Sequence, residues 1–517
     1  MKPYKIMLFF LALLFSIALL AFFMPKEGIQ LTDDIHLSFP TLKEIYQKPE
    51  NQYKDISKIL EPVVEEGDSL IVKKTGEEAK PNDLQTDTLE KNGSDTARAS
   101  PEIQDTSKRQ PQEIHPAQLN KNLQYPGNNP SVLYPFFDAI DNAKYNELIH
   151  ILHYGDSQIE GDRITSYLRN KMQEQFGGSG FGLFPAKLPF NTTISMKYNA
   201  SKSWIHYTTK NIGNSSLPHK KFGLLLSFSK FSPIYSSYQN QVYEANIELE
   251  ASPIGYPRNA RFNRCRIFYS HNDKPFIVKL NEEGEINDAD MRPSASQLEE
   301  ISWNVDPSSD KYSIHFQGVH SPDIYGISME SNTGITIDNI PLRGSSGTDF
   351  TKTNMTFYKK MLNKLNVKMI ILHFGVNVVP MIRDNYNFYE NSFYRQLKAL
   401  KNTKPDLAII VMGVSDMSRK EGTHYQSYPN IEKIRNAQKR AAFKAGCVFW
   451  DTYEAMGGRN SMPSWVFADP PLARKDFTHF TYKGSKIIGQ LFHQAIMKDY
   501  QTYKETQQEK KAKADSL

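Results

Sequence analysis

The chain has 517 residues, more than one domain of roughly 100 to 200 residues would use, so two folded units joined to non-globular segments are expected. Hydrophobic residues at 39% and aromatics at 12% supply a real core. A net charge of +5, dispersed among acidic residues, gives nucleic-acid binding no support, and two distant cysteines, Cys265 and Cys447, suggest neither a disulfide framework nor a thiolate metal site.

Lys2 and Lys5 precede an apolar run over residues 6–24, about the length of a helix that spans a bilayer core. Bulky Phe22, Phe23 and Met24 stand where a cleavage site needs small residues, so residues 1–26 are read as an uncleaved single-pass anchor in the cytoplasmic membrane. The lysines put the N-terminus inside and the body in the periplasm or at the cell exterior. Residues 27–117, rich in Lys, Glu, Asp, Gln, Ser, Thr and Pro, have the composition of a disordered linker.

A folded body is expected from residue 118, its first part running to 183. The apolar run 148–154 stops at Gly155-Asp156-Ser157, a buried strand meeting a turn. Helical spacing over 162–176 ends in Gly177-Gly178-Ser179-Gly180. Residues 184–340 differ in kind: short segments such as 222–228, 242–249, 266–269 and 312–316 are separated by turn residues, which predicts an all-β sandwich inserted into an α/β unit. Over 341–500 helices alternate with strands at 367–374, 407–412 and 448–450, predicting a mainly parallel sheet covered on both faces. The final helix is expected to end near residue 500, leaving 501–517 as a polar frayed tail.

In such a sheet catalytic groups sit on loops beyond the carboxyl ends of the strands, and Ser157 lies at such a place. Asp476 and His479 are separated by two residues, so on one helical turn the carboxylate can orient the imidazole. An oriented imidazole can take the proton of a nucleophilic serine. Asn377, just after the strand at 367–374, carries an amide that can donate to a developing oxyanion. Gly347, in Arg343-Gly344-Ser345-Ser346-Gly347-Thr348, lets a backbone N–H approach a substrate closely, with Gly344 a competing choice. His150, His153 and His373 lack the spacing of a ligand set and are read as packing residues, while Trp204, Tyr235 and Tyr238, which could stack on sugars, are read as core packing or incidental exposure.

These four blocks, in this order, resemble the signature of the SGNH (GDSL-like) hydrolase family. The resemblance implies a three-layer, flavodoxin-like α/β domain with Ser157 as nucleophile, His479 as base and Asp476 as its orienter. It also implies an oxyanion hole made by Ser157, Gly347 and Asn377, with no metal and no cofactor. Val378 departs from the Asp or Glu that follows the asparagine in many members. A narrower resemblance, to the bacterial peptidoglycan O-acetylesterase group, rests on three stretches. They are Gly155-Asp156-Ser157-Gln158-Ile159-Glu160-Gly161-Asp162, Phe176-Gly177-Gly178-Ser179-Gly180-Phe181-Gly182, and Met456-Gly457-Gly458 followed by Trp465 and Pro470-Pro471-Leu472-Ala473-Arg474. Gln158 stands where that group often has histidine. This likeness implies removal of O-acetyl groups from a cell-wall polysaccharide, peptidoglycan above all, through an acetyl-serine. Similar proteins with the same triad pass acetyl from a membrane-bound O-acyltransferase to a polysaccharide, so a transferase is the alternative expectation and a non-catalytic glycan-binding protein a third.

Overall fold

Leu148–Gly155 (β1) is buried at every position, as befits a strand with neighbours on both edges and layers on both faces. It belongs to a computed structural model that describes residues 121–515 except 189–192, 211–216, 236–239, 283–284, 292–296 and 423. Also described are residues 53–57, 59–60, 29–32, 35–37 and isolated positions before residue 17. The chain divides into a unit over residues 1–55, in which Ile29–Thr32 and Ile35–Leu37 pair as an antiparallel hairpin, and a body over 56–517. Among the described residues no helix is long and apolar enough to cross a membrane, and most of the run at 6–24 lies outside them. Residues 61–120 of the expected linker lie outside them too.

Within the body, β1 pairs in parallel with Gly334–Pro341 (β2) on one side and Val367–His373 (β3) on the other. Ala408–Met412 (β4) and Val448–Trp450 (β5) continue the sheet in parallel, giving the order 2-1-3-4-5, with Leu123–Gln124 antiparallel at the far edge. Alternate residues feed two cores. Ile149 and Ile151 face Tyr134–Asn146 (α1), Thr165–Phe176 (α2) and Tyr482–Asp515 (α6). Leu152 and Tyr154 face Met355–Lys364 (α3), Asn387–Thr403 (α4) and Ile431–Lys444 (α5). The doubly covered parallel sheet is therefore as expected. The reversal of strand order falls between β1 and β3, where two loops diverge and leave a crevice.

Two antiparallel sheets form the companion β region. One runs Glu299–Asn304, Arg264–Ser270, Asp323–Glu330, Ser227–Lys230, Ile205–Thr208, with Gly182–Phe184 also on Asp323–Glu330. The other runs Glu285–Met291, Phe276–Glu282, Lys311–Gly318, Tyr243–Ala251, Met196–Ala200. Ile247, Ile267, Val278, Ile314 and Ile327 fill the space between them. Three expectations need correction. Residues 334–340, expected in the sandwich, belong to the parallel sheet as part of β2, whose eight residues Gly334–Pro341 all pair in register with β1, so the insertion ends near 330. Residues 222–226 turn rather than extend: Gly223 and Leu226 both take positive φ, and Leu224, Leu225 and Leu226 drive into the core beneath α3. Finally, α6 continues to Asp515, because Tyr500 and Tyr503 pack on Phe137 of α1 and Tyr503 hydrogen-bonds Asp138, while Lys, Glu and Gln supply good helix formers beyond.

Gly177 to Gly182 does more than end a helix. A Cβ on Gly178 would come within 2.4 Å of Ile335 O, one on Gly180 within 2.3 Å of Met329 O, and one on Gly334 within 2.2 Å of Gly178 N. The strands leaving and re-entering the α/β unit are in direct backbone contact there, joined by Ser331 N to Ser179 O at 3.1 Å and Ile335 N to Gly177 O at 3.1 Å.

One stretch assigned to the linker is part of the body. Ile56 and Ile59 are 8% and 2% exposed and sit over Gly457, at the edge of the core that holds Trp450 and Trp465. Replacing Ile59 by Ala is expected to cost about 2 kcal/mol in denaturant unfolding of the full chain. An unchanged midpoint would show that this contact adds nothing.

Candidate active site

All five parallel strands end at one edge, and the loops that leave β1, β2 and β3 there carry Ser157, the 342–347 loop and Asn377. Strand β1 ends at Gly155, where only glycine fits: an added Cβ would lie 2.9 Å from His373 O and from Ile159 Cγ1. The buried Asp156 carboxylate then accepts Gln158 N at 3.0 Å and Gly375 N at 3.2 Å, tying the turn after β1 to the turn after β3. Burial pushes this carboxyl up to about 7, against the backbone donors and the charge of His479.

Ser157 Oγ lies 2.7 Å from His479 Nε2, and His479 Nδ1 lies 2.8 Å from Asp476 Oδ2. With Nδ1–H donating to the carboxylate, Nε2 is left to accept from the serine hydroxyl. Asp476 Oδ1 also accepts the backbone N–H groups of Thr478 and His479, each at 3.0 Å. Burial raises the Asp476 carboxyl, but the side-chain and backbone hydrogen bonds from His479 outweigh it and hold it down at about 2. The pair does not sit on a helical turn, as its spacing suggested. It occupies a tight loop in which Phe477 takes φ +54°, its ring stacked 3.6 Å from that of Tyr425, and its carbonyl accepts Ser418 N at 3.1 Å. Tyr425 and Ser418 come from the hairpin Ser418–Glu421 with His424–Ser427, which gives little signal in the sequence because its residues are mostly polar and charged.

The Asn377 amide donates one of its two N–H bonds to Ser345 O at 2.9 Å, leaving the other free of that contact. The Gly347 N–H donates to Ser345 Oγ at 3.0 Å, and an added Cβ would meet the Phe374 and Phe393 rings at 2.8 Å. Gly344 is exposed, with φ +73° and no atom nearer an added Cβ than Lys210 Nζ at 3.6 Å.

The strand histidines divide. His153 and His373 are buried, stacked and held below their ordinary pKa by burial, as packing residues would be. His150 is not a packing residue but part of a buried charge cluster. Among the described residues, His219, His271 and Asp323 bring ligand-type atoms together. However, His219 Nε2 and His271 Nδ1 lie 2.7 and 2.9 Å from Asp323 Oδ2, while Lys230 and Lys221 ammoniums stand 3.1 Å from Asp323 Oδ1 and His271 Nε2. Two cations at that range oppose a third, so the cluster fits a hydrogen-bonded network better than a metal. A cavity of about 240 Å³ with largely apolar walls, including Leu183, Leu225 and Leu342, lies between sandwich and parallel sheet, and no triad residue lines it.

No family model matches the sequence, and no curated protein does. Among solved structures, a peptidoglycan O-acetylesterase superposes with a TM-score of 0.56 at 20% identity, covering 74% of this chain and 99% of its own. At that identity the likeness is one of fold. A GDSL-like lipase from Parabacteroides merdae (14% identity, 31% of this chain and 72% of its own) and an acetyl xylan esterase (13% identity, 31% and 81%) reach TM-scores of only 0.23 and 0.24.

Proposed function

We propose that this protein is a serine esterase that removes O-acetyl groups from a cell-envelope polysaccharide, peptidoglycan being the first to test. The observation that carries the reading is the unbroken hydrogen-bond chain from Ser157 Oγ through the His479 ring to Asp476. The fold shared with a peptidoglycan O-acetylesterase supports it. Ser157 Oγ attacks the acetyl carbonyl while His479 Nε2 takes its proton. The resulting oxyanion is held by the Ser157 N–H, the second Asn377 N–H and a backbone N–H of the 344–347 loop, that of Gly347 with Gly344 as the competing choice. Collapse breaks the ester bond, and the sugar oxygen leaves with the proton from His479. A water then repeats the attack on the acetyl-serine, its proton going to His479, to give acetate and free serine. In this reading residues 6–24 anchor the enzyme in the cytoplasmic membrane with its body outside.

The full chain, incubated with O-acetylated peptidoglycan, is expected to release acetate, and to do so without acetylating added glycan acceptors. Preferential transfer to the acceptor would replace the esterase reading with the transferase, with a membrane-bound O-acyltransferase as donor. Glycan binding with no acetyl-serine detectable by mass spectrometry would leave only a binding protein.

A further inference from the structure

We infer that Gln158 is a positioning residue, which fixes His479 by gripping the main chain on both sides of it. This rests on the serine-esterase reading for its consequence, but not for its geometry. Gln158 is 1% exposed, directly after the nucleophile. Its Nε2 donates to Thr478 O at 2.7 Å, and its Oε1 accepts Phe480 N at 3.4 Å. Thr478 and Phe480 are the two neighbours of His479, so one side-chain amide brackets the imidazole-bearing residue from beneath. Ser415 Oγ, 3.2 Å from Nε2, takes the remaining donor.

Arg163 doubles the grip. Its Nη2 donates to Ser157 O at 2.7 Å and its Nη1 to Phe480 O at 3.2 Å, so one guanidinium joins the carbonyl of the nucleophile to that of the residue after the base. Without these two side chains the hydrogen bonds between the Ser157 turn and the 476–480 loop, more than 300 residues apart in sequence, would reduce to the Ser157 to His479 bond itself. That bond must break and reform in every turnover, because its proton is the one transferred. Ser418 N on Phe477 O and Arg474 N on His479 O anchor the loop to its own surroundings, whereas Gln158 and Arg163 keep it in register with the nucleophile while that bond is open. An amide fits this position well, since it offers a donor and an acceptor together and carries no charge to perturb the imidazole.

Gln158→Met keeps length and volume while removing both hydrogen-bonding ends. The expected result on an aryl acetate is a fall in kcat of about 10- to 100-fold with KM within about twofold, the pattern of misplaced rather than missing machinery. Ser415→Ala, which leaves both loop contacts in place, should retain kcat within about twofold. Crystal structures of wild type and Gln158→Met should show Ser157 Oγ and His479 Nε2 moving beyond hydrogen-bond reach in the variant. That measurement separates the two ideas. A displaced imidazole in a protein with no Ser157-dependent turnover would keep the grip and discard the esterase. An undisplaced imidazole with wild-type kcat would overturn the grip, as would a Ser415→Ala loss equal to that of Gln158→Met.

Discussion

Ser157→Ala is expected to lower aryl acetate turnover by about 10,000-fold or more while leaving thermal stability near wild type, since the hydroxyl's hydrogen bond is to His479 alone among side chains. His479→Ala should lose as much, because an unactivated serine is a poor nucleophile at neutral pH. The double variant should be no worse than either single one, as the two act in one step. Asp476→Ala should lose less. Its carboxylate is 46% exposed and the ring 27%, so water can partly replace it in solvating the imidazolium. The measurement is steady-state hydrolysis by the full chain, and wild-type turnover in Ser157→Ala would remove the serine from the mechanism.

The second large effect concerns stability at the junction of sandwich and sheet. His150, on β1, has Nδ1 2.7 Å from Asp338 Oδ2 on β2 and Nε2 3.1 Å from Glu330 Oε2 on the sandwich strand Asp323–Glu330. Both ring nitrogens face carboxylates, so the imidazole is a buried cation. Glu330 also pairs with Arg266 Nε at 2.6 Å and Arg264 Nη2 at 2.7 Å. Asp338 Oδ1 meanwhile accepts Leu183 N at 2.7 Å, from the chain that leads into the sandwich. Glu330→Ala would take the nearest carboxylate from buried Arg266 and leave His150 with Asp338 alone, and is expected to cost about 3 to 5 kcal/mol. Burial lowers the His150 pKa, but the two carboxylates outweigh it and hold the group up at about 9. Its folded value thus exceeds the ordinary 6.5, so its stabilisation is complete below that pH and is lost as pH rises toward about 9. Thermal melts of the wild type from pH 6 to 10 should fall across that window, and the fall should be shallower in His150→Gln. An equal slope in both would assign the pH dependence elsewhere.

Much of this fold was legible because burial on both faces writes itself into sequence: β1, β3, β4 and β5 are short apolar runs that only a covered sheet accommodates. β2 was misplaced for lack of a contrast with the strands before it, since a run such as Gly334–Pro341 reads alike in a sandwich or a parallel sheet and only pairing distinguishes them. Ser157, Asp476 and His479 were singled out by residue type, by position after a buried strand and by the family resemblance, and their side chains meet in one hydrogen-bond chain, though not on the helical turn that the spacing suggested. The grip of Gln158 and Arg163 was invisible because their partners are main-chain carbonyls and an N–H, groups every residue carries. Nor does a sequence reveal that Gly347 is enclosed by aromatic rings while Gly344 is open.

The glycine neck at 177–182 bears on how this chain is put together. Because the outgoing and returning strands touch there, closing the α/β unit across the gap would need almost no chain, and the sandwich with its roughly 150 residues imposes no stretch on the sheet that hosts it. Such an arrangement behaves as a socket. In connectivity the sheet requires only two adjacent chain ends, so a module of different size could be joined there without lengthening β1 or β2. What then makes a module specific to this socket is not the neck but the buried charges beside it, which an exchanged module would have to match.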